Sequence, residues 1–169
     1  MQLGLNEINI LMKIKEKDLE NEKSIVKIKD FIVFRKHICI VTELLSISLY
    51  DLMERNSFRS IDMQYIRTFS LQIFNALAFL QEQNIIHSDI KPENILLKDP
   101  NKTGIKLIDF GTSMFIHENN YMYIQSRFYR APEVILGSSY DYAIDMWSAG
   151  CLLAELYLGF PLFSGNNEH

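Results

Sequence analysis

Apolar residues recur along the chain with two periods, and each period marks an element. Leu3, Leu5, Ile8, Leu11, Met12 and Ile14 fall at helical spacing, which predicts an amphipathic helix from residue 2 to about residue 17. Ser24 to Phe34 and Ile38 to Thr42 read as two strands joined by the polar turn Arg35-Lys36-His37, with His37 a turn residue. Ser48 to Arg55 reads as a short helix, and Asp62 can cap a longer one from Met63 to Gln83. In that helix Ile66, Phe69, Ile73, Leu77 and Leu80 form one face to bury. Ile95-Leu96-Leu97 and Ile105-Lys106-Leu107-Ile108 are short apolar runs flanking the turn chemistry of Asp99 to Gly104, so they predict an antiparallel hairpin. The most apolar stretch, Met146 to Phe163, carries Glu155 inside, Asp145 just before it and Pro161 near its end. That pattern fits a buried core helix better than a membrane span.

The hairpin has a chemical consequence. In an antiparallel pair the residue before the first strand and the residue after the second lie at one end, so Asn94 and Asp109 are brought together, with Asp89 close by. Two side-chain oxygens with room for phosphate and water suit Mg2+, which seldom takes a full protein cage. A third carboxylate beside the ion could accept a hydroxyl proton. His87 has no neighbours at metal-ligand spacing and is read as a structural group that hydrogen-bonds the loop. Glu93 is read as a surface charge.

Bulk properties narrow the classes further. The 169 residues suffice for one domain core, and a net charge of −4 gives no electrostatic footprint for nucleic acid. Cys39 and Cys151 lack metal or redox spacing, so free thiols in a reducing, intracellular compartment (cytoplasm or nucleus) are expected. The N-terminus does not have the form of a signal peptide, and no internal repeat is visible.

His87-Ser88-Asp89-Ile90-Lys91-Pro92-Glu93-Asn94, then Asp109-Phe110-Gly111, then Ala131-Pro132-Glu133, resemble the signature set of eukaryotic protein kinases in order and spacing. The resemblance implies an α+β, protein-kinase-like fold in which residues 1–45 are the remainder of the N-lobe with the hinge. Residues 46–169 would be the C-lobe core with catalytic loop and activation segment. It implies ATP and Mg2+ as cofactors and protein Ser/Thr as substrate, with neither nucleic acid nor membrane as partner. Asp89 would orient or deprotonate the incoming hydroxyl, Lys91 would meet the transferring phosphate, and Asn94 and Asp109 would hold Mg2+. Glu7, in Asn6-Glu7-Ile8, looks like the helix glutamate that pairs with the phosphate-binding lysine. Glu43-Leu44-Leu45 resembles the hinge, with backbone groups of Glu43 and Leu45 on the adenine edge and Thr42 at the back of the pocket. Asp145 resembles the aspartate that braces the catalytic loop, and Glu133 the glutamate that awaits an arginine.

Ser88 stands where many kinases have arginine, and serine cannot clamp a phosphate as a bidentate cation does. Tyr123 in Tyr121-Met122-Tyr123-Ile124-Gln125-Ser126-Arg127-Phe128-Tyr129-Arg130 offers another switch, because its phosphate could pair with Arg127 and Arg130. This string, with Ser48-Leu49-Tyr50-Asp51-Leu52 and Ile144-Asp145-Met146-Trp147-Ser148, resembles the dual-specificity tyrosine-regulated kinases of the CMGC group. That family implies autophosphorylation on Tyr123 and then transfer to substrate Ser or Thr. Ser88, Thr42 and Gly111-Thr112-Ser113 depart from its common pattern. The Gly-rich loop and the strand with the lysine that pairs with Glu7 are not found here, and are expected upstream of residue 1. Helices covering the last apolar helix, and an arginine for a buried Glu133, are expected after residue 169. The alternative is a truncated kinase-like module with little or no catalysis that acts by binding partners; retention of Asp89, Lys91, Asn94 and Asp109 favours the enzyme.

Overall fold

The computed structural model describes residues 2–118, 123–165 and 167, with residues 2 and 3 described for their backbone alone. Helix α1 (Gln2–Lys17) turns Ile8, Leu11 and Ile14 inward, as its spacing predicts. It leads into the antiparallel pair β1 (Ile28–Phe34) and β2 (His37–Thr42), then α2 (Leu49–Arg55) and α3 (Met63–Glu82). The chain continues through β3 (Ile85–Ile86), β4 (Ile95–Leu97), β5 (Ile105–Leu107), β6 (Met114–Phe115), the short α4 (Pro132–Ile135) and α5 (Ala143–Leu158).

Local chemistry sets the boundaries. Ser48 closes a capping box with Asp51: the Ser48 hydroxyl accepts the Asp51 N–H at 3.0 Å, and the Asp51 carboxylate accepts the Ser48 N–H at 2.8 Å. Asp62 accepts the N–H of Gln64 at the start of α3. At the other end of the chain, α5 stops at Gly159 (φ 85°), where a Cβ would lie 1.9 Å from the Phe58 carbonyl oxygen. Only glycine fits there.

Three expectations need correction. Residues 24–27 do not continue β1; they run beside β5, with Val26 N–H donating to the Leu107 carbonyl and Leu107 N–H to that of Ser24. His37 is the first residue of β2, paired with Phe34, because Arg35 and Lys36 (φ 45° and 66°) make the turn by themselves. Helix α5 is shorter than its apolar stretch and buried on one face only. Ile144, Ala149, Leu152 and Leu156 are inside, whereas Met146, Trp147 and Tyr157 are exposed.

One apolar core joins α1, α2, α3, β4, β5 and α5: Ile10, Leu11 and Ile14 belong to the same cluster as Met53, Phe69, Leu80, Leu107 and Leu152. The β1–β2 pair lies at its margin, with Phe31, Ile32, Val33 and Phe34 exposed. Among the described residues, no helix is long and apolar enough to cross a membrane.

Candidate active site

The hairpin forms in the register its sequence implies, Ile95 opposite Leu107 and Leu97 opposite Ile105. The Ile108 N–H donates to the Asn94 carbonyl at 2.9 Å, so the strand ends that carry Asn94 and Asp109 are tied side by side. The His87 ring closes the third side. Its Nε2 lies 3.0 Å from the Ile108 carbonyl, and the Asp89 N–H donates to its Nδ1 at 3.2 Å. A carbonyl can only accept, so the proton of a neutral ring sits on Nε2. Burial pushes this imidazole down to about 4, and it is neutral near pH 7. His87 therefore joins the loop before Asp89 to the residue before Asp109.

The backbone of the loop is held from below. Asp145, at the start of α5, accepts the N–H of His87 at 2.7 Å and that of Ser88 at 2.8 Å. Ser88 has φ 64° and Asp109 φ 63°, both in the left-handed region that costs a non-glycine residue energy. The Ser88 hydroxyl donates to the Thr112 carbonyl at 2.7 Å, and the Ser113 hydroxyl to the His87 carbonyl at 2.9 Å. The loop from His87 to Asn94 and the segment after Asp109 thus brace each other.

Asp89 sits at the centre. Its Oδ2 is 2.7 Å from the Lys91 ammonium and accepts the Asn94 amide at 3.0 Å. Its Oδ1 accepts the Ser126 hydroxyl at 2.7 Å, and Lys91 also donates to that hydroxyl at 3.2 Å. Burial pushes the Asp89 carboxyl up, but the hydrogen bonds from Lys91 and Ser126, with the Lys91 charge, outweigh it and hold the group below the usual carboxylate range. It is an ionised acceptor at neutral pH. Reading the sequence missed Ser126; its place just before Arg127 in the loop string was the one available signal.

The oxygen set fits magnesium. The Asn94 amide nitrogen is committed to the Asp89 carbonyl and carboxylate, which leaves the amide oxygen as the atom this side chain can offer a metal ion. Asp109 is exposed, with Oδ1 accepting the Gly111 N–H at 3.2 Å. Among the described residues no three His, Cys, Asp or Glu side chains converge on a metal site. An amide oxygen and a carboxylate are the donor types of an ion that takes one or two protein groups together with nucleotide phosphates.

Glu7 is half-buried on α1 and accepts the Phe110 N–H; burial and the Asp109 charge push its carboxyl up. Among the described residues it makes no ion pair. The Glu43 carboxylate points away from solvent: Oε1 accepts the Lys27 N–H at 2.8 Å and lies 3.1 Å from the ammonium of Lys106. What Glu43 and Leu45 can offer a ligand is therefore backbone, and Leu44 between them is 93% exposed.

In the loop before α4, the Arg130 guanidinium lies 4.1 Å from the ring centre of the exposed Tyr123. Hydrogen bonds from Arg130 and Arg127 hold the Tyr123 phenol below the ordinary tyrosine range. Arg130 also donates to the Ile124 and Gln125 carbonyls at 2.8 and 2.7 Å, which anchors it to the loop backbone. Tyr121 and Met122 lie outside the described residues. Glu133 is half-buried rather than buried as expected, and lines a shallow cleft with Ser139, Tyr140 and Asp141. The buried carboxylate of this region is instead Glu155, which accepts the Tyr129 hydroxyl at 2.6 Å.

The protein kinase domain family matches the chain over residues 2–169. The chain is 51% identical over 167 residues to dual specificity tyrosine-phosphorylation-regulated kinase 4 of Homo sapiens, which covers 99% of the chain and 32% of that protein. It is 52% identical over 162 residues to dual specificity tyrosine-phosphorylation-regulated kinase 2 of Drosophila melanogaster, at 96% and 22% coverage. It is also 52% identical over 165 residues to the probable serine/threonine-protein kinase dyrk2 of Dictyostelium discoideum, at 98% and 18%. The chain spans about a third or less of the length of these relatives.

Proposed function

Since the chain belongs to the protein kinase family, alongside its dual-specificity tyrosine-regulated members, we propose that it transfers the γ-phosphate of ATP to Ser or Thr of protein substrates. The observation that carries this is the Asp89 carboxylate, held ionised between Lys91, Asn94 and Ser126 beside the strand end that bears Asp109. A carboxylate placed so can orient an alcohol and take its proton, and the adjoining ammonium can meet charge spreading over the transferred group. Asn94 and Asp109 would hold Mg2+, which supplies neutralisation of the phosphate oxygens when bound. Backbone groups of Glu43 and Leu45 would take the adenine edge, with residues 1–45 the remainder of the N-lobe and 46–169 the C-lobe core.

The same reading makes Tyr123 a site of autophosphorylation, its phosphate paired with Arg127 and Arg130. It also puts the protein inside the cell, where Cys39 and Cys151 stay free thiols. A module that only binds partners has no need of the Asp89, Lys91, Asn94 and Asp109 set. The test is transfer from ATP to a Ser/Thr peptide by the full gene product, with and without a Mg2+ chelator. Magnesium-dependent transfer supports the proposal, and its absence at every magnesium concentration overturns it.

A further inference from the structure

Among the described residues Lys106 is the largest side chain buried completely, and nothing assigned so far to the site uses it. Its neighbours Ile105 and Leu107 fill the core as a β-strand ordinarily does. An ammonium at such a place is tolerated only when every donor is matched. Here all three are matched: to the Ile25 carbonyl at 2.7 Å, to the Asn21 side-chain oxygen, and to Glu43 Oε1 at 3.1 Å.

These partners come from two places. Asn21 and Ile25 follow α1, whereas Glu43 comes directly after β2, where the hinge begins. Glu43 is held twice more, its N–H donating to the Lys27 carbonyl at 3.0 Å and its Oε1 accepting the Lys27 N–H at 2.8 Å. Following β5 the other way, Ile108 is tied to Asn94 by its N–H and to His87 by its carbonyl, and Asp109 comes next. A stiff path therefore runs from Glu43 through Lys106 and β5 to Asp109.

We propose that Lys106 is a positioning residue for the nucleotide: its buried ammonium locks the Glu43 end of the hinge to the strand that delivers Asp109, so that base and phosphates are held in register. This rests on the kinase reading above, since it needs a ligand that touches both ends. A ligand spanning two anchors loses productive binding when their spacing drifts, even if each anchor survives.

The test compares Lys106→Met, Glu43→Gln and the double variant with the wild-type full gene product in steady-state kinetics. Lys106→Met removes the tie at little change in length and leaves the Glu43 carboxylate without its cation. We expect its KM for ATP to rise about tenfold while the KM for peptide holds within about twofold, as for a change confined to nucleotide placement. Glu43→Gln keeps an oxygen for the Lys27 N–H and should raise the KM for ATP about threefold. The double variant should fall below Lys106→Met, because no unpaired carboxylate is left. A merely structural lysine would lower the active fraction, and so kcat, without moving either KM. That result overturns the inference, and Glu43→Gln decides alone if Lys106→Met does not fold: an unchanged KM for ATP counts against it. Wild-type protein that binds no ATP would instead sink the kinase reading itself.

Discussion

The Asp145 carboxylate accepts the backbone N–H of Ser88 at 2.8 Å while Ser88 is held at φ 64°. A left-handed serine costs roughly 1–3 kcal/mol, so the conformation persists because Asp145 takes two adjacent N–H groups, those of His87 and Ser88. Asp145→Asn would present an amide donor to one of them. The expected loss is about 3 kcal/mol in urea denaturation, typical of breaking a buried charged hydrogen bond. A loss below about 1 kcal/mol, the level of an ordinary surface change, would contradict the bracing role.

The same contact shapes the response to acid. His87 is buried, with its pKa pushed down to about 4 from 6.5, so the unfolded chain binds that proton first and stability falls as pH drops from 6.5 toward 4. Burial pushes Asp145 up to about 6 from 3.8, so the folded state takes that proton first and stability rises as pH drops from 6 toward 4. Each contribution is on the order of 3 kcal/mol, and the two oppose. Asp145→Asn removes the second, so its stability should fall more steeply than the wild type's between pH 6.5 and 4. Parallel curves in denaturant titrations across that range would contradict the assignment.

Much of this was legible in the chain. The β4–β5 hairpin follows from two apolar runs around a polar turn, and it places Asn94 beside Ile108, the residue before Asp109. The cap at Asp62 was readable because a side-chain oxygen before an apolar repeat has a local job, whereas Ser48, read as the first helical residue, is the cap of α2. What was not legible is long-range or locally atypical. The Ser126 hydroxyl meets Asp89 across 37 residues, and its place before Arg127 marks the loop without naming the partner. The β3–β6 pair is two residues long on each side, too short for a period to show. Ile105 to Ile108 reads as an apolar run, but nothing in it names the three distant acceptors that let Lys106 sit wholly buried there.

Ser126 bridges Asp89 and Lys91, and its loss should disturb both. Ser126→Ala removes the hydroxyl that donates to Asp89 Oδ1 and accepts from Lys91. We expect kcat to fall roughly 10- to 100-fold, the scale of a misplaced reacting group, while the KM for ATP changes little. Ser126→Thr keeps the hydroxyl and should retain most activity. Equal losses in both variants, measured by peptide phosphorylation, would show that loop packing and not the hydroxyl matters.

Arg130 is already seated under Tyr123 by its bonds to the Ile124 and Gln125 carbonyls, so a phosphate on Tyr123 would meet a fixed cation. Charge-assisted bonds of that kind order a loop. Mass spectrometry of active protein should find phosphate on Tyr123, and Tyr123→Phe should lower activity about tenfold or more. Active protein with Tyr123 unmodified would remove the switch.

Central to the account is Asp89 as the group that receives the alcohol. Single-turnover transfer from Mg-ATP to a Ser/Thr peptide, compared between wild-type protein and Asp89→Asn, tests it most directly. A positioned base contributes about 10²- to 10⁴-fold, so the variant should lose at least about a hundredfold in rate while still binding ATP. Transfer by Asp89→Asn at the wild-type rate would contradict the account.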